Sequence, residues 1–278
     1  MKILRYRENG KTLPGIIVDS GNVRDASSLV SDWNGSTISD ESLAKIKSSD
    51  LSSLPNVSGE IDYSPCIDGV GKFICIGLNY SDHAKEVGMD PPAEPIIFMK
   101  ATSAIIGPND NVEIPRNSKK SDWEVELGVV IGKEAKYVSE ADAENYIAGY
   151  CVINDLSERE FQLEKLGQWV KGKSCDTFGP IGPYMVTKDE VPDPQNLNLW
   201  LELNGNRVQD GNTSTMIHKV FYTISYLSQF MSLQPGDVIS TGTPPGVGSG
   251  MKPPTYLKQG DSMKLGIDGL GEQSQKVV

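Results

Sequence analysis

The chain has 278 residues, 38% hydrophobic and 23% charged, proportions of a soluble globular protein with room for one large domain or a small one beside a larger one. A net charge of -11 and a sequence pI of about 4.7 work against general binding to nucleic acid or to an anionic membrane, although a local cation cluster can still receive a small anionic substrate. No apolar run approaches the roughly 18 residues of a membrane span, and the stretch MKILRYRENGKTLPG has no apolar signal core, so a cytoplasmic protein is expected.

Residues 1–68 are expected to form a small N-terminal domain. Strand-like runs at 2–6 and 15–19 come first, then a polar helical stretch over 39–48, then the turn-rich SSLPNVSGEIDYSP. From Lys72 the texture becomes dense apolar strands: FICIGLNY, PIIFMK, VELGVVIG and YIAGYCVIND. Met216, Val220, Ile224, Leu227 and Met231 recur at helical spacing and predict a helix over 214–231, stopped by LQPGD before a strand at 238–241. Strands dominate and do not alternate regularly with helices, so residues 69–278 read as one domain of α+β class. TGTPPGVGSG is no dinucleotide fingerprint, because prolines and no amphipathic helix follow it. Cys66, Cys75, Cys151 and Cys175 form no C-x-x-C pair; Cys75 and Cys151 lie in apolar runs, as buried reduced thiols do.

Three segments carry candidate chemistry. In GLNYSDHAKEVGMDPP a strand over 73–78 runs into a short helix, capped by Ser81 or Asp82 and stopping near Gly88. His83 and Glu86 stand three apart on one face. A carboxylate bonded to imidazole fixes its tautomer and raises its basicity, as a water-activating base requires; the plain alternative is a surface ion pair. The other histidine, His218, falls inside the long helix pattern and reads as structural. In SDWEVELGVVIG, Glu124 and Glu126 alternate along a strand and so share one face, where like charges repel. Asp155, at the end of YIAGYCVIND, adds a third carboxylate. Three carboxylates without cysteine or histidine make an all-oxygen site for Mg²⁺, Mn²⁺ or Ca²⁺ rather than Zn²⁺ or Cu²⁺. The bland alternative is the solvent-facing edge of a strand. In DLSEREFQ, Ser157 and Glu160 have capping-box spacing, which starts a helix and puts Arg159 and Gln162 on a face near Asp155. Lys171 and Lys173, in WVKGKSCDTFGPIGP, are expected in a glycine-flanked loop, where a lysine near such a site can meet a substrate carboxylate or an oxyanion.

Taken in order, these segments resemble the fumarylacetoacetate hydrolase family over about residues 70–275. The resemblance rests on Gly77-Leu78-Asn79-Tyr80 with His83 and Glu86, on Phe98-Met99-Lys100, on Glu124-x-Glu126-Leu127-Gly128 and on Asn154-Asp155. It continues through Arg159 with Gln162, Lys173-Ser174 and Thr241-Gly242-Thr243-Pro244. It implies a mixed β-roll fold, a Mg²⁺ or Mn²⁺ cofactor and a homodimer. It also implies metal binding by Glu124, Glu126 and Asp155, catalysis by His83, Glu86 and Lys173, and substrate contact by Arg159, Gln162, Thr243 and Lys100. The branch that cleaves fumarylacetoacetate itself is longer and carries an acidic ligand near the place of Asn79, so the resemblance points to the shorter acylpyruvase-like branch. Within that branch it is nearest the hydrolases of 2,4-diketo-3-deoxy sugar acids, such as the L-fuconate and L-rhamnonate derivatives. The implied activity is cleavage of a small-molecule diketo acid to pyruvate and a carboxylic acid. Oxaloacetate decarboxylation or isomerisation of 2-hydroxyhepta-2,4-diene-1,7-dioate is the alternative on the same site, ureidoglycolate lyase a weaker one, and a metal-stabilised scaffold without catalysis the third.

Overall fold

The computed structural model describes residues 1–18 and 21–278. A large mixed sheet runs through the molecule. Its strands lie in the order Val23–Asp25, Lys11–Ile17, Lys2–Glu8, Gly179–Thr187, Ile147–Asn154, Val125–Ile131, Val238–Ser240, Phe73–Gly77 and Ile96–Lys100. Neighbours along this path are antiparallel except Val238–Ser240 with Phe73–Gly77, which run parallel. The leading residues therefore enter the same sheet as the central strands, with Ile3 opposite Met185 and Lys2 opposite Val186. The end of the strand expected at 15–19 includes Asp19, which lies outside the described residues; the described strand spans Lys11–Ile17.

Side chains alternate across the central strands, and each parity meets a different core. Ile74, Ile76, Val125, Leu127, Val129, Val152 and Ile239 join the cluster on one face. There they meet Leu199, Leu201, Met263 and Leu265 of a separate four-stranded antiparallel sheet, and Val220, Ile224 and Leu227 of the helix Val220–Leu227. Phe73, Cys75, Val130, Cys151, Ile153 and Val238 join the other cluster. Covering them are residues of the leading segment: Met1, Ile3, Trp33, Ile38, and Leu43 with Ile46 from the helix Asp40–Lys47. Ser39 caps that helix, its side chain accepting from the Ser42 N–H. The central strands Val125–Ile131 and Ile147–Asn154 are buried along their whole length, which explains their unbroken apolar texture. The protein is α+β and dominated by sheet.

Three local expectations change. The periodic stretch 214–231 is not one helix: a 3-10 turn covers Thr213–Thr215 and the α-helix begins at Val220. Ile217 N–H donates to the Asn79 carbonyl and His218 N–H to Asn79 Oδ1, so these amides are spent on a neighbouring segment instead of the helix. Ser157 does not cap a helix. It pairs in a short ladder with Asp122, and a π-helical turn starts only at Glu160. Lys173 lies on a one-turn helix, Val170–Lys173, and not in an open loop. All four cysteines are free, and Cys75 and Cys151 are buried. Among the described residues no helix is long and apolar enough to cross a membrane.

Candidate active site

The site forms where the central strands end. Glu126 lies on the strand Val125–Ile131 and Glu124 just before it, with the parity of Gly128 and Val130. Asp155 follows directly on Ile147–Asn154, the antiparallel neighbour. Asp155 N–H donates to the Glu124 carbonyl at 2.9 Å, and Glu124 N–H to Asn154 Oδ1 at 3.1 Å, which pins the third carboxylate beside the first. The three are buried, and one oxygen from each lies within 4.8 Å of the others. Glu126 Oε2 accepts from Ser240 Oγ at 2.6 Å and from Gly242 N–H at 2.8 Å. Gly242 has φ +99° and a Cβ there would sit 2.7 Å from Asn79 Cβ, so only glycine brings this amide to the carboxylate.

Buried cations surround the triad. Lys173 Nζ reaches Glu124 Oε2 at 2.5 Å and Asp155 Oδ2 at 2.8 Å. Lys100 Nζ reaches Asp155 Oδ1 at 2.5 Å and the Leu156 carbonyl at 2.9 Å. Arg159 spreads over Asp122 Oδ2 (2.8 Å), Glu124 Oε1 (2.7 Å) and Gln162 Oε1 (3.1 Å). Burial pushes the Glu124 carboxyl up, but Lys173 and Arg159 outweigh it and hold the pKa down at about 2. Glu126 is the opposite case: burial, then the charges of Asp155 and Glu124, push it well above the usual carboxylate range. Among the described residues at the centre, Lys100, Lys173 and Arg159 pair with Asp122, Glu124 and Asp155, and Glu126 is left without a cation. An oxygen-only donor set with one carboxyl lacking a cation fits a hard divalent cation.

His83 lies on the helix Ser81–Val87, which ends at Gly88 in left-handed conformation, as the sequence predicts. The expected cap at Ser81 or Asp82 is not found: Tyr80 is the N-cap, without a side-chain bond. His83 Nδ1 meets Glu86 Oε2 at 2.8 Å, and Glu86 Oε1 accepts from Gly246 N–H at 2.8 Å. Both carboxylate oxygens of Glu86 are thus engaged, and the imidazole is held from one side.

A cleft of about 200 Å³ gathers these groups. Seven of the residues expected from sequence line it: His83, Glu124, Glu126, Arg159, Gln162, Lys173 and Thr243. Glu86 and Asp155 stand behind that surface. Lys100, expected among the substrate contacts, does not line the cleft: its fully buried side chain bonds Asp155 and the Leu156 carbonyl. Thr243 Oγ1 donates to the Val125 carbonyl and accepts from Gln209 Nε2, leaving it only acceptor capacity. Lys171 bonds the Lys165 carbonyl at the surface and takes no part. His218 bonds the Pro92 carbonyl and lies outside the cleft lining, in keeping with a structural role. Asp122 was missed. It accepts from Arg159, Gly248 N–H and Ser249 N–H, and the alternation Asp122-x-Glu124-x-Glu126 was the available signal.

A mixed sheet thus gathers three buried carboxylates and an imidazole–carboxylate pair at and just behind one cleft. A family model described as the fumarylacetoacetate (FAA) hydrolase C-terminal region matches residues 72–278, and the chain belongs to that family. A Burkholderia orbicola (strain MC0-3) protein, named only provisionally as a hydrolase, is 58% identical over 277 residues, covering 99% of this chain and 98% of that one. The solved 2-hydroxyhepta-2,4-diene-1,7-dioate isomerase from Mycobacterium marinum is 31% identical, covering 100% of this chain and 98% of that one, at TM-score 0.77. Maleylpyruvate hydrolase from Sphingobium sp. SYK-6, solved with manganese(II) and pyruvate, is 26% identical, covering 100% and 99%, at TM-score 0.83.

Proposed function

We propose that the protein is a divalent-metal-dependent hydrolase that cleaves the C3–C4 bond of a 2,4-diketo acid. The products are pyruvate and a carboxylic acid. The observation that carries this reading is the His83–Glu86 pair opening onto the same cleft as Glu124 and Glu126. Glu124, Glu126 and Asp155 would hold Mg²⁺ or Mn²⁺, and such an ion supplies Lewis acidity for a 2-keto acid there.

The chain's own groups account for the remaining work. With Nδ1 bonded to Glu86, His83 has Nε2 left to take a proton from water, whose oxygen adds to the C4 carbonyl. Lys173 has three N–H donors and gives two to Glu124 and Asp155; the third can meet the oxyanion formed at C4. When the C3–C4 bond breaks, its electron pair passes to the pyruvate fragment and C3 regains a proton. One water is consumed. Arg159 keeps Gln162 in place along the wall through its third bond. Within this class the motif order resembles that of hydrolases of 2,4-diketo-3-deoxy sugar acids, so those acids belong in the first assay, with the enzyme as a homodimer.

The second reading is isomerisation of an unsaturated 2-keto diacid or decarboxylation of oxaloacetate, favoured by the likeness to the M. marinum isomerase. Neither needs an attacking water, which the imidazole–carboxylate pair would otherwise serve. Pyruvate release from acylpyruvates with Mn²⁺ present should fall by about 10²–10⁴-fold in kcat for His83→Ala, with Mn²⁺ affinity by titration unchanged. Full activity of His83→Ala on a good acylpyruvate would remove the proposed base.

A further inference from the structure

The cleft has two chemically distinct surfaces. One carries the carboxylates, His83, Lys173 and Arg159. The other is apolar: Val87, Met89 and Leu163 at the exposed rim, with Ile96, Phe98 and Trp169 forming the wall. The wall is built rather than incidental. Phe98 and Trp169 meet edge to face with ring centroids 5.3 Å apart. Trp169 sits directly on Gly77, where a Cβ would lie 2.4 Å from its Cζ3. Lys173 Nζ stands 5.0 Å from the Phe98 ring centroid, so the aromatic wall begins where the polar surface ends.

The polar groups of the lining are gathered on the triad side and partly committed there. Its cations Arg159 and Lys173 are bonded to Asp122, Glu124 and Asp155, Gln162 is bonded to Arg159, and the Thr243 proton goes to Val125. Away from the triad, Ser249 is the remaining hydroxyl in the lining. Laid along the wall of Ile96 and Phe98 and the Trp169 ring face, a tail bearing several hydroxyls, or a second carboxylate, would lose water without gaining side-chain partners.

Resting on the diketo-acid reading above, we propose that the apolar wall of Ile96, Phe98 and Trp169 selects 2,4-diketo acids whose 4-acyl group is uncharged and apolar, an alkyl or aryl chain, over hydroxylated sugar-acid and dicarboxylate tails. The reaction keeps the same balance: acyl–CH₂–CO–COO⁻ and one water give the carboxylate of the acyl chain, pyruvate and one proton. In a pocket of this kind each added methylene is worth roughly 10–200-fold in kcat/KM.

The test is kcat/KM with Mn²⁺, read by pyruvate release, for acetylpyruvate, hexanoylpyruvate, fumarylpyruvate and a 2,4-diketo-3-deoxyhexonate. Hexanoylpyruvate is expected to exceed acetylpyruvate by at least about tenfold, and the other two to fall below acetylpyruvate. Trp169→Ala should lower the hexanoyl-to-acetyl ratio by about tenfold. Should that variant not fold, Leu163→Ser, at a position 54% exposed, reads the same ratio at the rim. Cleavage of acetylpyruvate with a hexanoyl-to-acetyl ratio of one or less, a sugar acid or fumarylpyruvate as the best substrate, or a ratio unmoved in the variants overturns the apolar tail and leaves the diketo-acid reading standing. Cleavage of none of the four overturns both.

Discussion

Glu126 receives the least help from the protein's cations. Its bonds come from a hydroxyl and a backbone amide, whereas Glu124 meets Lys173 and Arg159 directly and Asp155 meets two lysines. Replacing it by glutamine removes the charge a divalent ion would neutralise and leaves the shape. Glu126→Gln is expected to weaken Mn²⁺ binding by at least about tenfold, close to 1.4 kcal/mol, by calorimetric titration. It should also shrink the thermal stabilisation that saturating ion confers, which at a hundredfold excess over Kd amounts to about 2.7 kcal/mol. Unchanged affinity would remove Glu126 from the ligand set. Lys100 tests the opposite side of the balance. Lys100→Met strands Asp155 with one partner fewer in a site closed to water, and breaking a buried pair from one side costs about 3–5 kcal/mol. A fall in Tm on the order of 10 °C in the metal-free protein is expected. The acidic residues were legible because strand alternation is a local rule, and by that rule Asp122 was legible too. The role of Lys100 was not: its partner is 55 residues away, and no pattern around Phe98-Met99-Lys100 tells a buried cation from a substrate contact.

Elements here are short, and their ends are decided by side chains reaching in from elsewhere. Asn79 is the clearest case. Its Nδ2 donates to the His218 carbonyl at 2.9 Å and the Thr241 carbonyl at 2.7 Å, while Oδ1 accepts from His218 N–H. One amide thus ties the segment entering the His83 helix to Thr241, just past the strand Val238–Ser240, and to the lead-in of the helix Val220–Leu227. The apolar period over 214–231 is real, and Val220, Ile224 and Leu227 are buried, but period alone does not reveal that Ile217 and His218 give their amides to Asn79. Likewise, capping-box spacing at Ser157 lost to ladder pairing with Asp122. Asn79→Ala leaves one N–H and two carbonyls buried without that partner. At about 1–3 kcal/mol for each unsatisfied group, a loss of at least about 2 kcal/mol is expected, read as a lower urea midpoint at unchanged slope.

At the scale of the molecule, acid stability can be assigned in part to one histidine. Burial lowers the His218 pKa, partly offset by the Pro92 carbonyl. The folded chain therefore binds that proton more weakly than the unfolded chain, where the ordinary value is near 6.5. The resulting stability is complete above about pH 6.5 and declines as pH falls below it toward the lower folded value. Urea midpoints at pH 7.5, 6.5 and 5.5 should drop less in His218→Asn than in the wild type; equal drops would remove His218 as a contributor. The overall architecture was less legible than its strands. Each run from Phe73 to Ser240 announces itself, but pairing of Lys2–Glu8 with Gly179–Thr187 joins residues as far apart in the chain as Lys2 and Val186, and register at that separation leaves no trace in local composition.

That pairing has a consequence for the carboxylate centre. Cys75 and Ile153 are packed in one cluster with Met1, Ile3 and Trp33, and the Cys75 thiol lies close enough to feel the charges of Asp155, Lys100 and Glu126. Met1, Ile3 and Trp33 thus belong to the dry floor under the three carboxylates. A fragment starting at residue 69 would be wetted from beneath, its acids would find solvent screening in place of a captive cation, and the affinity that enclosure confers would drain away although every ligand remained in the chain.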